Sequence, residues 1–255
     1  PVGTRAAGWL PGLGQDGGVG FVTSLSVGPA CVAWVGEDAG IDTEGQLALL
    51  SGPDGERAAG FRPDRLRRFL LGRALVRALV RVRFPEASTW SVFSGECRRC
   101  GTRHAGVEIE GAPVLASVSY ADGIVVAAVA DTALTHRLGV DVEADAADQT
   151  RTDDLQRLLG ASSEAVLRRW TRVEAVLKAD GRGLLIDPGA VWLRRGGAWI
   201  AGEAESYVVT EVPGPAGYLV SLAWSAAAAS AAEPGRATRR TAGPAGTRWF
   251  LERTR

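Results

Sequence analysis

The sequence predicts an α+β protein in which antiparallel hairpins and separate helices are grouped into two halves that meet near residue 112. Two segments, Asp64–Val82 and Trp170–Gly183, carry apolar residues at the spacing of helical turns. Two pairs of apolar runs, each joined through a glycine-containing turn, have the pattern of β-hairpins: Val114–Tyr120 with Ile124–Ala130, and Tyr207–Val212 with Tyr218–Trp224.

The composition limits the classes of function. With 255 residues, 46% hydrophobic and 23% charged, the chain resembles a soluble globular protein of one large or two small domains. A formal net charge of zero argues against a general nucleic-acid or membrane-surface binder. No apolar run reaches the about 18 residues of a membrane span, the first residues lack the pattern of a secretory signal, and three cysteines form no disulfide framework. We therefore expect a cytoplasmic protein that binds neither nucleic acid nor membrane.

The first part of the chain contains short elements. Residues 1–29 are rich in Gly and Pro and predict a lead-in segment with at most one strand, near Gly20–Leu25. The apolar run Cys31–Val35 predicts a strand, Gly45–Leu50 a short helix, and Gly52–Gly55 a turn.

The longest helical pattern of the first half is Asp64–Val82, with Pro63 at the position that suits a helix start. Its predicted apolar stripe consists of Leu71, Leu75, Ala78, Leu79 and Val82. Arginines occupy the other faces, where they are either solvated or, near the helix start, able to hold phosphate through forked hydrogen bonds.

Cys97–His104 reads CRRCGTRH, and two cysteines two residues apart with a histidine resemble part of a zinc site. A structural zinc site needs four ligands, and the chain has no second cysteine pair. We expect free thiols in a loop, with zinc as the alternative.

The run GVDVE, residues 139–143, alternates apolar and acidic residues, so Asp141 and Glu143 lie on one face of a strand. Two such carboxylates repel each other unless a positive charge joins them. The strand is therefore either a solvent-facing edge or part of a cation site. An acidic loop is predicted for Asp145–Asp154.

The helix around WTRVEAVLKADGRG has an apolar stripe formed by Val166, Trp170, Val173 and Leu177. Ser162 or Ser163 can cap the start of this helix. Thr171, Glu174 and Lys178 share the neighbouring face. Glu174 and Lys178 form either a surface pair worth about 0.3–0.5 kcal/mol or a chemical site. Lys178 is the single lysine of an arginine-rich chain, and lysine, unlike arginine, is a compact charge that can lose a proton.

After this helix, Val191–Arg194 and Ala198–Ala201 predict another hairpin. Residues 226–255 are rich in Ala, Gly, Pro, Ser and Arg without periodicity, which predicts a disordered tail.

Five segments, taken in order, resemble the Sfp-type 4′-phosphopantetheinyl transferases: ERAAGFRPDRLRRFLLGRALVRALV, CRRCGTRH, SVSYADG, LGVDVE and WTRVEAVLKADGRGL. The resemblance implies two similar α+β subdomains, residues 30–112 and 113–225, that form a pseudo-dimer within a monomer, with coenzyme A in the cleft between them. It implies Mg²⁺-dependent transfer of the phosphopantetheine arm to a serine of an acyl or peptidyl carrier protein.

The resemblance also implies residue roles. Asp141, Glu143 and Glu174 match the carboxylates that bind Mg²⁺, and Glu174 is the proposed base. Lys178 matches the lysine that assists the leaving phosphate and contacts the coenzyme. The other expected coenzyme A contacts are Arg68, Arg73, His104 and Tyr120.

Three positions depart from the family pattern. Tyr120 stands where the family has histidine, Ala105–Val107 replaces a glycine, a basic residue and proline, and Val173 replaces lysine. All three changes remove expected phosphate contacts, so we expect weaker coenzyme A binding or an altered substrate. The alternative is a non-catalytic relative that binds a carrier protein or a nucleotide. Candidates for contact with an acidic carrier protein are Arg151, Arg157, Arg168 and Arg169.

Overall fold

The computed structural model describes residues 23–85, 90–146, 149–159 and 166–225. These residues form eleven strands and five α-helices in several sheets, a mixed architecture compatible with the predicted α+β class. The elements up to residue 131 are β1 Thr23–Val27, β2 Ala30–Gly36, α1 Thr43–Ala48, α2 Gly52–Ala59, α3 Pro63–Arg83, β3 Ser91–Glu96, β4 Arg103–Glu110, β5 Val114–Ala121 and β6 Ile124–Asp131. The remaining elements are β7 Leu138–Ala144, α4 Gln149–Leu159, α5 Val166–Asp180, β8 Val191–Arg194, β9 Gly197–Ile200, β10 Ser206–Val212 and β11 Tyr218–Ser225.

The first sheet has the antiparallel strand order β1-β2-β6-β5. Alternate residues of a strand face opposite sides of its sheet, and β6 is apolar on both sides. On one side Val125 and Val129 pack with Leu75 and Leu79 of α3. The strand is buried from Ile124 to Ala130 because its other side faces a second sheet.

The second sheet has the antiparallel order β7-β11-β10-β9-β8 and carries α5 on one face. Val173 and Leu177 of the predicted apolar stripe are fully buried there, against Tyr207 and Val209 of β10. The predicted apolar stripe is confirmed for these two residues, because their spacing matches the helical repeat of 3.6 residues and directs both side chains to the sheet.

The remaining faces of the two sheets pack against each other. Val126 and Ala128 of the first sheet share a buried cluster with Val140, Val220 and Leu222 of the second. The layers therefore run helix, sheet, sheet, helix. This packing leaves β5, an edge of the first sheet, beside β7, an edge of the second.

Several local predictions are wrong. Gly52–Gly55, predicted as a turn, begins α2, since Pro53 is compatible with a first helical turn. The predicted acidic loop Asp145–Asp154 contains the start of α4. Val82, assigned to the apolar stripe of α3, is 53% exposed.

Two arginines of α3 that were expected on polar faces are buried, because α3 is covered on several sides. Arg73 pairs with the buried Asp54 of α2 at 2.6 Å. Arg77 donates to Gln46 Oε1 and to the Leu49 carbonyl, and burial lowers its pKa to about 10.

The main-chain pairing crosses the expected boundary at residue 112, since β2 pairs with β6. The sequence did not predict the hairpin β3–β4. The last two residues of the predicted loop Cys97–His104 belong to its second strand, β4, which begins at Arg103. The predicted lead-in up to residue 22, the caps Ser162 and Ser163, and the predicted tail lie outside the described residues. Among the described helices, none combines the length and the apolarity that crossing a membrane requires.

Candidate active site

Strand β7 and helix α5 face each other and bring together the residues that the sequence singled out. Gly139 of β7 has no side chain to separate the strand from the α5 backbone. Asp141 follows two residues later on the strand, and Lys178 lies near the end of the helix. The close approach therefore sets the distance between the two charged side chains.

Lys178 and Asp141 form a direct ion pair. Lys178 Nζ lies 2.6 Å from Asp141 Oδ1 and donates to Ser119 Oγ of β5 at 2.7 Å. The Ser119 hydroxyl donates to the same Asp141 Oδ1 at 2.8 Å. The side chain of Asp141 is only 7% exposed, whereas that of Lys178 is 30% exposed. The pair is thus anchored in the protein and open to the cleft on its lysine side.

Glu143, the second carboxylate of the strand, has two partners. The indole Nε1 of Trp170 donates to Glu143 Oε1 at 3.0 Å, and Arg151 of α4 forms an ion pair with the same oxygen. Burial raises the pKa of Glu143 and the charge of Asp141 adds to this, while Arg151 opposes it. Trp170, predicted only as a stripe residue, therefore has a polar role as well.

Glu174 lies on α5 one turn before Lys178 and makes no hydrogen bond or ion pair with any described residue. Burial raises its pKa, and the charges of Asp141 and Glu143 raise it further against the opposing effect of Lys178. A carboxylate with a raised pKa and no fixed partner is suited to accept a proton.

The three carboxylates supply oxygen ligands of the kind that Mg²⁺ prefers. Asp141 Oδ2 is buried without a hydrogen-bond partner, which leaves one ligand atom available. In the described part of the chain, however, no group of three or more His, Cys, Asp or Glu side chains is already arranged around a metal position. Lys178 and Arg151 neutralise Asp141 and Glu143 in this arrangement. The donor chemistry fits a hard cation, and the assignment of Asp141, Glu143 and Glu174 as Mg²⁺ ligands stays a prediction.

A cleft of about 1080 Å³ opens beside Lys178. Its walls come from α3, the β3–β4 hairpin, β5 and the segment after α5. Cationic side chains line it from both halves of the protein: Arg57, Arg65, Arg68, Arg73, Arg98, Arg99, Arg137, Lys178 and Arg182. The carboxylates of the lining are Glu96 and Glu108. Five of the cations pair with carboxylates outside the lining, so the positive charge that stays available in the cleft comes from the other four: Arg57, Arg65, Arg98 and Arg99.

The predicted coenzyme contacts of α3 both line this cleft, but their charges are already paired. The Arg68 guanidinium lies 2.6 Å from Glu37 Oε1 and 3.1 Å from Asp122 Oδ1. Arg73 is buried against Asp54 and donates to Ser94 Oγ at 2.8 Å. Arg73 is therefore a structural cation beneath the cleft wall.

The other two predicted contacts lie on β4 and β5. Tyr120 lines the cleft, and the residue is 39% exposed. Its hydroxyl lies directly over Gly72 of α3, and desolvation raises its pKa. The side chain of His104 lies outside the described part of the structure.

Four cations of the cleft make no ion pair within the described ranges: Arg57, Arg65, Arg98 and Arg99. Arg65 belongs to the arginines near the start of α3 that were expected to be solvated or to hold phosphate, whereas sequence reasoning missed the other three. Arg57 lies over the rings of Phe61 and Phe69 at 5.5 and 5.4 Å and donates to Ser94 Oγ at 2.6 Å. No spacing in the sequence relates these arginines to Lys178, because α2, α3 and the hairpin meet α5 only in the folded chain.

Cys97 and Cys100 form no disulfide with a described residue and lie at the connection of the β3–β4 hairpin, while the zinc alternative stays a prediction. Cys97 lines the cleft, and Cys100 Sγ lies 2.9 Å from the Thr102 hydroxyl.

The arginines proposed for a carrier protein have mostly internal partners. Arg151 pairs with Glu143, Arg157 with Asp154, and Arg168 with Glu211. Arg169 of α5 makes no ion pair with a described residue, and its Nε atom is buried without a hydrogen-bond partner.

Neither the models of known protein families nor the curated protein sequences include a match to this chain.

Proposed function

We propose that this protein is a Mg²⁺-dependent 4′-phosphopantetheinyl transferase. It transfers the phosphopantetheine arm of coenzyme A to a serine of an acyl or peptidyl carrier protein and releases adenosine 3′,5′-bisphosphate. The observation that carries the proposal is the group Asp141, Glu174 and Lys178, in which Lys178 lines a cationic cleft and pairs with the buried Asp141.

The charge and size of the cleft support an anionic nucleotide ligand. Coenzyme A carries a pyrophosphate and a ribose phosphate, and arginine forks bind such groups through paired hydrogen bonds. The volume of about 1080 Å³ lies just above the usual range of small-molecule sites, about 300–1000 Å³. Arg57, Arg65, Arg98 and Arg99 have charges that are not paired within the described residues, and they offset the cations lost at the family positions.

The reaction needs a base, a stabilising cation and an aligned acceptor. Glu174 would accept the proton of the carrier serine, whose oxygen forms the new bond to the β-phosphorus. The bond from that phosphorus to the bridging oxygen breaks, and the electron pair leaves with adenosine 3′,5′-bisphosphate. Lys178 would donate hydrogen bonds to the phosphate oxygens as negative charge develops on the leaving group.

Asp141, Glu143 and Glu174 would hold the Mg²⁺ ion. When bound, the ion supplies neutralisation of the pyrophosphate charge. The buried and unpartnered Asp141 Oδ2 supports this assignment.

We extend the proposal to a pseudo-dimer within one chain. In each half one long helix covers one face of an antiparallel sheet, α3 in the first and α5 in the second, and the free faces of the sheets meet. The pairing of β2 with β6 favours a division between β6 and β7 over the one expected at residue 112.

Intact-mass measurement of an apo carrier protein tests the reaction. After incubation with this protein, coenzyme A and Mg²⁺, the carrier should gain about 340 Da, the mass of one phosphopantetheine unit. Asp141→Ala should abolish the gain while leaving the circular dichroism spectrum of the protein unchanged, and chelation of the metal should do the same.

A different result favours the non-catalytic alternative. If several apo carrier proteins gain no mass with the folded protein, the transferase proposal is wrong. Thermal stabilisation by coenzyme A without Mg²⁺ would identify a nucleotide-binding relative.

A further inference from the structure

We infer that Ser119 is a positioning residue that fixes Lys178 and Asp141 in one arrangement for phosphoryl transfer. The inference rests on the proposed function and concerns a residue that has no role in it so far. Ser119 lies on β5, in the first half of the protein, whereas Lys178 and Asp141 belong to the second. Its hydroxyl therefore joins the two halves at the candidate active site.

The hydroxyl of Ser119 uses its full hydrogen-bonding capacity, which is one donor and two acceptor positions. It donates to Asp141 Oδ1 at 2.8 Å and accepts from Lys178 Nζ at 2.7 Å and from the Val142 N–H at 3.3 Å. The residue is 3% exposed, so water does not compete for these bonds. The two site bonds and the main-chain bond together fix the direction of the hydroxyl.

Ser117 provides an internal comparison. It lies two residues earlier on the same face of β5, and its hydroxyl accepts from the Val140 N–H at 3.0 Å. Both serines thus supply acceptors to the edge of β7 that pairs with none of the described strands. Ser119 differs in that it also contacts the ion pair.

Lysine has a long flexible side chain, and one ion pair with Asp141 leaves its ammonium free to rotate. The second bond to Ser119 restricts Nζ to one position at the cleft wall. Because misplacement of a catalytic group by about 1 Å can lower a rate by about 100-fold, loss of the hydroxyl should lower turnover more than coenzyme binding.

The decisive comparison is Ser119→Ala with Ser117→Ala, since each removes one acceptor from the edge of β7. We expect Ser119→Ala to lower kcat by about 10- to 100-fold with a change of less than about threefold in KM for coenzyme A. Ser117→Ala should keep kcat within about twofold of the wild type. Ser117 lines the cleft, so kcat and not KM is the constant compared between the two variants. If Ser119→Ala does not fold, Ser119→Cys keeps the volume with a weaker donor and should show the same division between kcat and KM.

A second measurement does not depend on activity. Because Lys178 is the single lysine, labelling with ¹³C-lysine gives one side-chain spin system. We expect distinct, immobilised ε-proton signals in the wild type and in Ser117→Ala, and averaged signals in Ser119→Ala or Ser119→Cys.

The two readouts separate the possible failures. If the wild type transfers no arm but the ε-protons respond as expected, the transferase proposal fails and the positioning of Lys178 by Ser119 stands. If Ser119→Ala matches Ser117→Ala in kcat and in the lysine signals, Ser119 serves only the strand edge and the inference is wrong.

Discussion

Gly139 of β7 and Ala175 of α5 are in backbone contact. A Cβ atom built on Gly139 would lie 2.1 Å from the Ala175 carbonyl oxygen and 2.4 Å from the Ala179 nitrogen. No side chain fits that space, so only glycine allows the strand and the helix to approach this closely. The distance between Asp141 and Lys178 depends on this contact.

Gly139→Ala should therefore separate β7 from α5. We expect a loss of about 1–3 kcal/mol in the free energy of unfolding, measured by denaturant unfolding, together with loss of transfer activity. Gly55→Ala in α2 is the matched control, since a Cβ there meets nothing within 4 Å. The control should be neutral or more stable by up to about 1 kcal/mol. An unchanged unfolding midpoint for Gly139→Ala would show that the helix can shift without cost.

Glu174→Gln should raise the melting temperature at neutral pH. It should also remove the base of the proposed transfer, because glutamine cannot accept the proton of the carrier serine. Burial raises the pKa of Glu174 in the folded protein, so the folded state favours the protonated form. The stability associated with that form is complete at low pH and is lost as the pH rises through the raised pKa. Glutamine does not ionise, so the variant should melt higher than the wild type at pH 7 and close to it below pH 4.5, the ordinary value. Transfer should fall by about 100-fold or more.

The exposed Glu56 of α2 provides the control for this prediction. Glu56→Gln should change neither the melting temperature nor the transfer rate. A lower melting temperature for Glu174→Gln at pH 7 would contradict the proposed desolvation of Glu174.

Lys178→Ala should lower kcat more than it weakens coenzyme A binding, because in the proposed reaction the lysine acts mainly as charge develops in the transition state. Lys178→Arg retains the charge but replaces a compact ammonium with a planar fork. The fork cannot reproduce both short contacts to Ser119 and Asp141, at 2.7 and 2.6 Å, so activity should return only in part. Steady-state kinetics with varied coenzyme A measure both constants. A change confined to KM would make Lys178 a binding residue.

Arg57→Ala should weaken coenzyme A binding by about 10-fold or more. Arg57 lines the cleft and makes no ion pair with a described carboxylate, so its charge is available to a phosphate group. A hydrogen bond to a charged group contributes about 1.5–3 kcal/mol. Calorimetric titration at low and at high salt measures the loss, which should shrink as salt screens the charge. Arg194→Ala is the control, since Arg194 lies over the Trp199 ring outside the cleft lining. Equal effects of the two substitutions would place the coenzyme elsewhere.

Asp54→Asn should destabilise the protein at neutral pH and change its response to acid. Burial alone would raise the pKa of Asp54, but the hydrogen bond and charge of Arg73 and the bonds from Ser94 lower it overall. The stability that this carboxylate contributes is present above its ordinary pKa of 3.8 and is lost as the pH falls through the lowered value. Removing the charge leaves Arg73 buried without its partner, at a cost of about 3–5 kcal/mol.

Urea unfolding from pH 2 to pH 7 tests this prediction. The wild type and Asp54→Asn should differ most at pH 7 and converge in acid. The exposed Asp64 at the start of α3 provides the control, and Asp64→Asn should follow the wild type over the whole range. If the free energies of unfolding of Asp54→Asn and the wild type differed by the same amount at every pH, the ionisation of Asp54 would not be the source of the lost stability.

The sequence predicted the elements whose patterns repeat locally. Spacing at 3.6 residues identified α5 and its buried stripe, and alternation at two residues placed Asp141 and Glu143 on one face of β7. Apolar runs around glycine turns identified the pairs β5–β6 and β10–β11. These predictions succeed because one periodic pattern directs successive side chains to the same surface.

Local patterns did not identify α2 or the β3–β4 hairpin. The burial of Asp54 stabilises α2 through Arg73, nineteen residues away along the chain. The hairpin lacks the two-residue glycine turn that marks a hairpin in a sequence, because the longer segment Cys97–Thr102 connects its strands. Contacts distant in sequence decide both elements.

What the sequence by itself determined is which residues carry the candidate chemistry: the strand carboxylates, Glu174 one helical turn before Lys178, and the single lysine. Only the tertiary structure decided their surroundings. It set Ser119 against the Lys178–Asp141 pair, buried Arg73 in a structural ion pair, and brought Arg137 and Arg182 to the cleft that α3 and the hairpin share. The physical reason is that spacing along a chain fixes neighbours only within one element, whereas charge pairing and burial depend on how the elements pack.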